Sequence, residues 1–175
     1  EKTVVTFHER RQLTDLDVES AALETMRLVM EIPAEDLQVR LVSGFVEALP
    51  NHLRLMDGIR PEVLPPLLEG PGQLTLTVRL WKDQELLVTR VARFDVLRRY
   101  RVAVSRTLLR RDEPISADKV QFERRFLATR VDEPQETEVI ARRPRKDVKA
   151  GEVISMSDLG IAVAKVRPVL VKKRD

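Results

Sequence analysis

The chain has 175 residues, of which 43% are apolar and only 4% aromatic, with a formal net charge of +3. That length holds one sizeable domain or two small ones, and the core must rest on Val, Leu and Ile. With no cysteine, disulfide scaffolds and thiolate metal sites are excluded, and no run approaches the roughly 18 apolar residues of a membrane span.

Charge is unevenly spread. Residues 1–97 carry 11 basic and 16 acidic side chains, a net of −5, and residues 98–175 carry 20 and 12, a net of +8. The change of sign predicts two domains, one acidic and one basic. The lack of cysteine suits an oxidising compartment. The chain starts at Glu1 without methionine, as expected after removal of a leader.

Val4, Val5 and Phe7 form a β-prone run, read as a first strand. Thr14-x-x-Asp17 then has the form of a capping box, with Asp15, Asp17 and Glu19 where a helix dipole favours acids. Ala22, Leu23, Met26, Val29 and Met30 follow helical spacing on one face, and Pro33 stops the helix. This is a core-facing structural helix, with a partner-binding helix as the alternative. Leu37 to Val42 alternates as a strand, Gly44 marks a bulge or turn, and Leu53 and Leu55 suggest another short strand. Residues 57–72 hold Gly58, Pro61, Pro65, Pro66, Gly70, Pro71 and Gly72, too much proline for a central strand. They read as a surface connection, with a mobile binding loop as the functional alternative.

Leu74, Leu76, Val78 and Leu80 alternate with polar residues, Lys82 to Glu85 turns, and Leu86, Val88, Ala92, Phe94 and Val96 return. This predicts an antiparallel hairpin with one buried face. Trp81 lies near its tip, either as an exposed anchor for a partner or folded back on the sheet. Arg98-Arg99-Tyr100-Arg101 marks the domain junction, and the β pattern continues through Tyr100, Val102 and Val104, so a strand crosses it.

Beyond this point the chain repeats itself imperfectly. Leu109 to Val120 and Val148 to Leu159 share one plan: a branched apolar residue, a basic residue, a tight turn, Glu-x-Ile-Ser, then a short turn with an apolar end, Val120 or Leu159. Ser155 to Leu159 and Ser116 to Val120 each read as one helical turn with a serine cap. Phe122, Phe126, Leu127 and Val131 lie between the copies, followed by an acidic loop with Asp132, Glu133, Glu136 and Glu138. Short strands and tight turns predict a small, curled β module.

These residues resemble a known family. Residues 102–175 resemble the SAF-type (β-clip) domain, and the layout as a whole resembles the flagellar basal-body P-ring formation chaperones. Their pattern is an apolar strand, R-x-L-x-x-G-x-x-I-x-x-x-D-L, a spacer, and R-x-L-x-A-G-x-x-I-x-x-x-D-L. Arg106-Thr107-Leu108-Leu109 through Val120 fits the first element, and Arg143-Pro144-Arg145 through Gly151, Ile154, Asp158 and Leu159 fits the second. Arg167 to Asp175 resembles the R-P-x-x-V-K-x-G-D that precedes the family's last β region. Asp112 and Arg174 stand where the family has glycine; aspartate is tolerated in left-handed turns. The sequence stops where the family continues, so the second domain is expected to be truncated at its C-terminal end.

The expected fold is therefore α+β, mainly β: an N-terminal helix-plus-strands domain over 1–97 and a SAF-like β-clip domain over 98–175. The resemblance implies a non-enzymatic periplasmic chaperone that assists assembly of the flagellar P ring by binding the P-ring subunit, with no cofactor and no stable membrane insertion. SAF modules also occur in pilus-assembly proteins and sialic-acid synthases, so a pilus-assembly or carbohydrate-binding protein is the alternative.

Other chemistry has little to stand on. His8 and His52 are isolated from any ligand-spaced partner, and neither a phosphate-cradling glycine loop nor a nucleophile elbow occurs. The second half is basic, but its arginines are interleaved with acids and few aromatics accompany them, which disfavours nucleic acid. The basic clusters fit an acidic protein surface better. The candidate partner-binding residues are Arg124, Arg125, Arg142, Arg143, Arg145, Lys146 and Trp81; the plain reading of each basic residue is a solvated side chain, and that of Trp81 a ring folded back on the sheet. No residue is singled out as catalytic or metal-binding.

Overall fold

The computed structural model describes residues 11–67 and 70–160. The expected strand at Val4–Phe7, His8, and the tail from Arg167 to Asp175 lie outside them. The fold is α+β and mainly β. The chain divides into two units, Glu1–Tyr100 with Phe126–Arg130, and Arg101–Arg125 with Val131–Asp175.

In the first unit, helix α1 spans Asp15–Met30. Thr14 caps it as the sequence predicts: Asp17 accepts from the Thr14 backbone N–H at 2.8 Å, and the Thr14 hydroxyl accepts from the Asp17 N–H at 3.3 Å. Glu31 closes the helix in the left-handed region at φ 52°, and Pro33 follows. Val18, Ala22 and Met26 are fully buried, while Leu23, Val29 and Met30 are half-buried on the same flank. Burying each larger member of this face contributes roughly 1.5–3 kcal/mol.

The helix packs on strands β1 (Leu37–Leu41), β2 (Ile59–Val63), β3 (Gly72–Lys82) and β4 (Glu85–Ser105). Their order is β1-β4-β3-β2, and these neighbours are all antiparallel. β3 and β4 form the predicted hairpin around Asp83-Gln84, with Asp83 at φ 51°. Leu76, Val78, Leu80, Phe94 and Val96 enter the core. The register shifts between Leu80↔Val88 and Trp81↔Leu86, leaving Leu87 as the extra residue of a bulge.

Two expectations for this unit need correction. The Leu53 and Leu55 segment is a helical turn, α2 (Asn51–Arg54), not a strand. Pro50 carries an α-compatible φ of −55° just ahead of it, and the Leu53 and Arg54 N–H groups both donate to the Pro50 carbonyl. Only Leu53 is buried; Leu55 is exposed. The proline-rich stretch 57–72 is not all connection, because it contains β2. That strand lies at the sheet edge, where Pro61 loses no ladder bond: the residues on either side of it, Arg60 and Glu62, face β3.

In the second unit the two sequence repeats adopt one conformation twice. Residues 39 positions apart make equivalent bonds. Leu109 and Val148, which are equivalent, exchange N–H···O bonds with each other at 2.9 Å both ways. Asp112 donates to Pro144 O (2.8 Å) as Gly151 donates to Ser105 O (2.7 Å); Ile115 donates to Arg142 O (2.9 Å) as Ile154 donates to Ala103 O (2.8 Å). Arg106 donates to Lys119 O and Arg145 to Asp158 O, both at 2.8 Å. The pattern is that of a local two-fold.

Asp112 (φ 61°) and Gly151 (φ 81°) occupy the same left-handed position, so aspartate does serve where glycine was expected. Leu109 with Val148, Ile115 with Ile154, and Val120 with Leu159 all enter one core cluster. The helical turns are single 3-10 turns, Ala117–Lys119 and Met156–Asp158. Their serines do not cap through the side chain as expected. Ser155 Oγ meets Ser157 Oγ at 2.8 Å instead.

Strand β5 (Val120–Leu127) pairs with β4. The acidic loop holds a helical turn missed in the sequence, α3 (Glu136–Val139), whose Val139 is fully buried in the cluster. Glu133 is not simply solvated either: its carboxylate accepts from the Arg101 backbone N–H at 2.9 Å.

Candidate partner-binding surfaces

Six of the seven candidate residues belong to the second unit. Arg124 and Arg125 lie on β5, where alternate side chains face opposite ways. Arg124 is exposed. Arg125 donates through Nε to Glu123 and through Nη1 to the Gly151 carbonyl at 3.2 Å. It ties β5 to the left-handed turn of the second repeat.

Arg142, Arg143, Arg145 and Lys146 lie on the segment that leads into the second repeat. Its backbone is committed: Arg142 and Arg143 carbonyls accept from Ile115 and Gly160, and the Arg145 N–H donates to Asp158. The side chains are left outside. Arg143 and Arg145 are exposed and Arg142 half-exposed, with no ion pair or side-chain hydrogen bond among the described residues. Lys146 differs, because its Nζ meets Asp158 Oδ2 at 2.9 Å. That hydrogen bond raises its pKa above the ordinary lysine value.

Sequence reasoning passed over Arg106, the repeat equivalent of Arg145, which is also exposed. The repeat spacing was the signal that could have found it. Arg101, also passed over, holds its guanidinium 4.8 Å from the centroid of the Phe122 ring, a cation–π contact.

Trp81 belongs to the first unit. It is half-buried on the sheet face opposite α1, beside Arg60 of β2, and its indole N–H donates to Glu62 at 2.7 Å. The diagonal cross-strand bond holds the ring against the sheet.

Two further features of the first unit bear on binding. A groove of about 370 Å³ is lined by Ser43, Phe45, Leu49, Arg90, Val91 and Arg93. A second, of about 940 Å³, lies where Asp17 and Ser20 of α1 approach Asp57 and Arg60. Among the described residues no three His, Asp or Glu side chains are grouped to hold a metal. No described helix is long and apolar enough to cross a membrane.

No protein-family model and no curated protein sequence matches the chain. Solved structures similar to it include the flagellar protein FlgA of Thermotoga maritima, at 15% identity over 81% of this chain and 50% of that one, with a TM-score of 0.44. They also include Salmonella FlgA in a closed form (12% identity, 82% of this chain, 68% of that one, TM-score 0.43) and in an open form (14%, 85%, 65%, 0.43). This chain thus spans half the length of the Thermotoga protein.

Proposed function

We propose that this chain is a non-enzymatic periplasmic assembly chaperone of the flagellar P-ring type, which binds the P-ring subunit through the basic side of its second unit. The observation that carries the reading is the double repeat. The residues that resemble the family's two motifs form one module in which Asp112 and Gly151 take the same left-handed turn and Ile115 and Ile154 enter the same core. On this reading residues 98–175 act as the SAF-like domain.

The chemistry of binding follows from the side chains that the module leaves unused. Arg124, Arg142, Arg143 and Arg145 carry charge with no acidic partner among the described residues. Such a surface attracts an acidic patch over a distance of about a Debye length, ~8–10 Å at physiological salt, and raises the association rate. Arg125 and Lys146 are already paired and contribute less. Covering an aggregation-prone patch of the subunit before it joins the ring would constitute the chaperone activity, and no reaction is required.

The test is a calorimetric titration with the purified P-ring subunit at low and moderate salt. Saturable binding that weakens with salt is expected, as is a loss of about tenfold or more in affinity for the combined Arg142→Glu, Arg143→Glu and Arg145→Glu variant. Binding indifferent to salt and to these substitutions would remove the basic surface from the account. An absence of binding at either salt would overturn the chaperone reading.

A further inference from the structure

On β1 and β2 the outer edges of the first unit's sheet are closed. Alternate residues of a strand direct their N–H and C=O groups to opposite sides. On the outer side of β1, the Leu37 N–H donates to the Ala34 carbonyl and the Leu41 N–H to the Glu19 carboxylate at 2.7 Å. On the outer side of β2, Pro61 has no N–H, and the Val63 carbonyl accepts from the Thr25 hydroxyl at 2.9 Å. These are the usual devices that stop a sheet edge from recruiting another strand.

A further stretch of edge is on β4. Its pairing with β1 ends at Leu41↔Phe94, followed by a single further bond from the Val42 N–H to the Arg93 carbonyl at 2.9 Å. On its other side, β3 accompanies β4 down to Glu85. By alternation from Arg93, the N–H and C=O groups of Val91 and Thr89 point to the side that β1 has vacated. Among the described residues nothing pairs with them there. Thr89, Arg90 and Val91 are all exposed, Val91 at 69%, on a strand that β3 accompanies along its other side.

This edge is one wall of the 370 Å³ groove. The segment after β1 is the other wall, and it is fixed. The Asp15 carboxylate accepts from the N–H of Phe45 at 3.1 Å and of Val46 at 2.8 Å, so the first turn of α1 holds the loop away from β4. Phe45 and Leu49 supply apolar surface within the groove. Arg90 lies opposite the buried Val78 and so projects on the helix side of the sheet, whereas Arg93 lies opposite Thr75 on the other side. The two guanidiniums flank the edge from its two faces, and neither has a salt bridge or side-chain hydrogen bond among the described residues.

We propose that the edge of β4 from Thr89 to Arg93 accepts an extended, acidic segment of a partner protein by strand addition in line with β1. The main-chain groups of Thr89 and Val91 supply the ladder, and the side-chain environment supplies the selection. A residue entering opposite Arg90 or Ala92 faces Phe45 and Leu49. One entering opposite Val91 or Arg93 faces the open side. An acid reaches a guanidinium from either face, and an apolar residue at the remaining positions covers Val91 or Phe45. Charge also argues against a second copy as the occupant, because pairing two of these edges would bring four unpartnered guanidiniums into one seam.

The experiment uses the isotope-labelled full chain and a short, end-blocked peptide of alternating valine and glutamate. Affinity is read by titration, and amide exchange is read at Thr89 and Val91. Binding with slowed exchange at both amides is expected. A peptide N-methylated at alternate residues, which cannot form the ladder, and a lysine-for-glutamate peptide should each bind about tenfold more weakly or worse. Val91→Pro removes a docking donor while leaving the β3 side of the ladder intact, and should cost about tenfold. Should that variant fold poorly, Arg90→Glu with Arg93→Glu tests the same site and should reverse the preference between the glutamate and lysine peptides.

No binding, or binding that leaves Thr89 and Val91 exchanging as before, overturns the proposal. So does protection without peptide: growing with concentration it identifies a second copy as the occupant, and independent of concentration it identifies a segment of the same chain. None of these outcomes depends on the P-ring subunit, so this site and the chaperone reading stand or fall separately.

Discussion

The paired left-handed residues of the second unit allow a sharp test. Gly151 sits at φ 81°, and an added Cβ there would meet no atom within 4 Å. Gly151→Ala therefore carries a conformational cost and no steric one. Holding an L-residue in that region costs about 1–2 kcal/mol, and alanine's narrower unfolded ensemble returns about 0.4–1 kcal/mol. The net expectation is a loss of ~1 kcal/mol. With a urea m-value of about 2 kcal/mol/M, the midpoint falls by about 0.5 M. At the equivalent Asp112, φ 61°, Asp112→Gly relieves a strain that aspartate tolerates better than alanine. It also widens the unfolded ensemble and removes a contact to Arg111 in which both side chains are 71% exposed, a pair worth close to nothing. The net change should lie within about 0.5 kcal/mol of zero. Urea unfolding followed by circular dichroism measures both. A Gly151→Ala midpoint equal to that of the parent chain would show that residue 151 does not hold the left-handed conformation in solution. The two-fold account of the module would then fail at its turn.

Asp15→Ala should cost about 2 kcal/mol, because the Phe45 and Val46 N–H groups lose a charged acceptor; a fall in Tm of roughly 4–8 °C would register it. Ile115→Ala and Ile154→Ala, at equivalent buried positions, should each cost about 3 kcal/mol in urea unfolding. Val104→Arg places a charge at a fully buried site and should lose more than about 4 kcal/mol, whereas Arg143→Val, at the equivalent exposed position, should change stability by less than about 0.5 kcal/mol. The hydrogen bond from Lys119 holds the Glu113 carboxyl below the ordinary glutamate value of 4.5. A depressed folded-state pKa means that this contribution is complete above the unfolded value and is lost as pH falls through the folded one. Lys119→Met should therefore raise the Glu113 titration midpoint, seen in its carboxyl chemical shift, and flatten the stability profile below pH 4.5.

The parts of the fold legible in the sequence are those where several local signals agree. Helix α1 announces itself by a capping box, an apolar face and a stopping proline, and all three are realised around Thr14, Met26 and Pro33. The β3–β4 hairpin is legible because strict alternation over Leu74–Leu80 leaves one periodicity. Failures came where the signal was shorter than the periodicity it was read against. Leu53 and Leu55 are two residues apart, which suits a strand, yet the deciding residue was Pro50. Four residues of α3 carry one buried side chain, Val139, too little for a helical pattern. Composition gathered Arg124 with Arg125 and Arg145 with Lys146, but only packing separates the unpaired member from the one already engaged by Glu123 or Asp158. The edge of β4 was not legible at all, since an unpaired edge depends on how far a different strand, β1, accompanies it.

The second unit shows why a repeated backbone need not present a repeated surface. Its core pairs and its crossing hydrogen bonds are duplicated, but the segments that lead into the two repeats have different surroundings. Ala103 and Val104, within β4, are fully buried; their equivalents Arg142 and Arg143 are half-exposed and exposed. Both segments accept the same main-chain bonds from the facing repeat, Ala103 and Ser105 from Ile154 and Gly151, Arg142 and Pro144 from Ile115 and Asp112, so that backbone duty is shared while the side-chain environment differs. A buried segment is restricted to small and branched apolar residues by packing. A solvent-facing one is restricted by almost nothing, because its structural work is done by main-chain groups that any residue other than proline supplies in full. Even proline is accommodated at position 144, where the equivalent Ser105 uses its N–H to reach Glu152 and Pro144 has none to offer. Freedom from packing is what makes a basic cluster possible at residues 142–146, and it is also why substituting those arginines can probe binding without disturbing the fold.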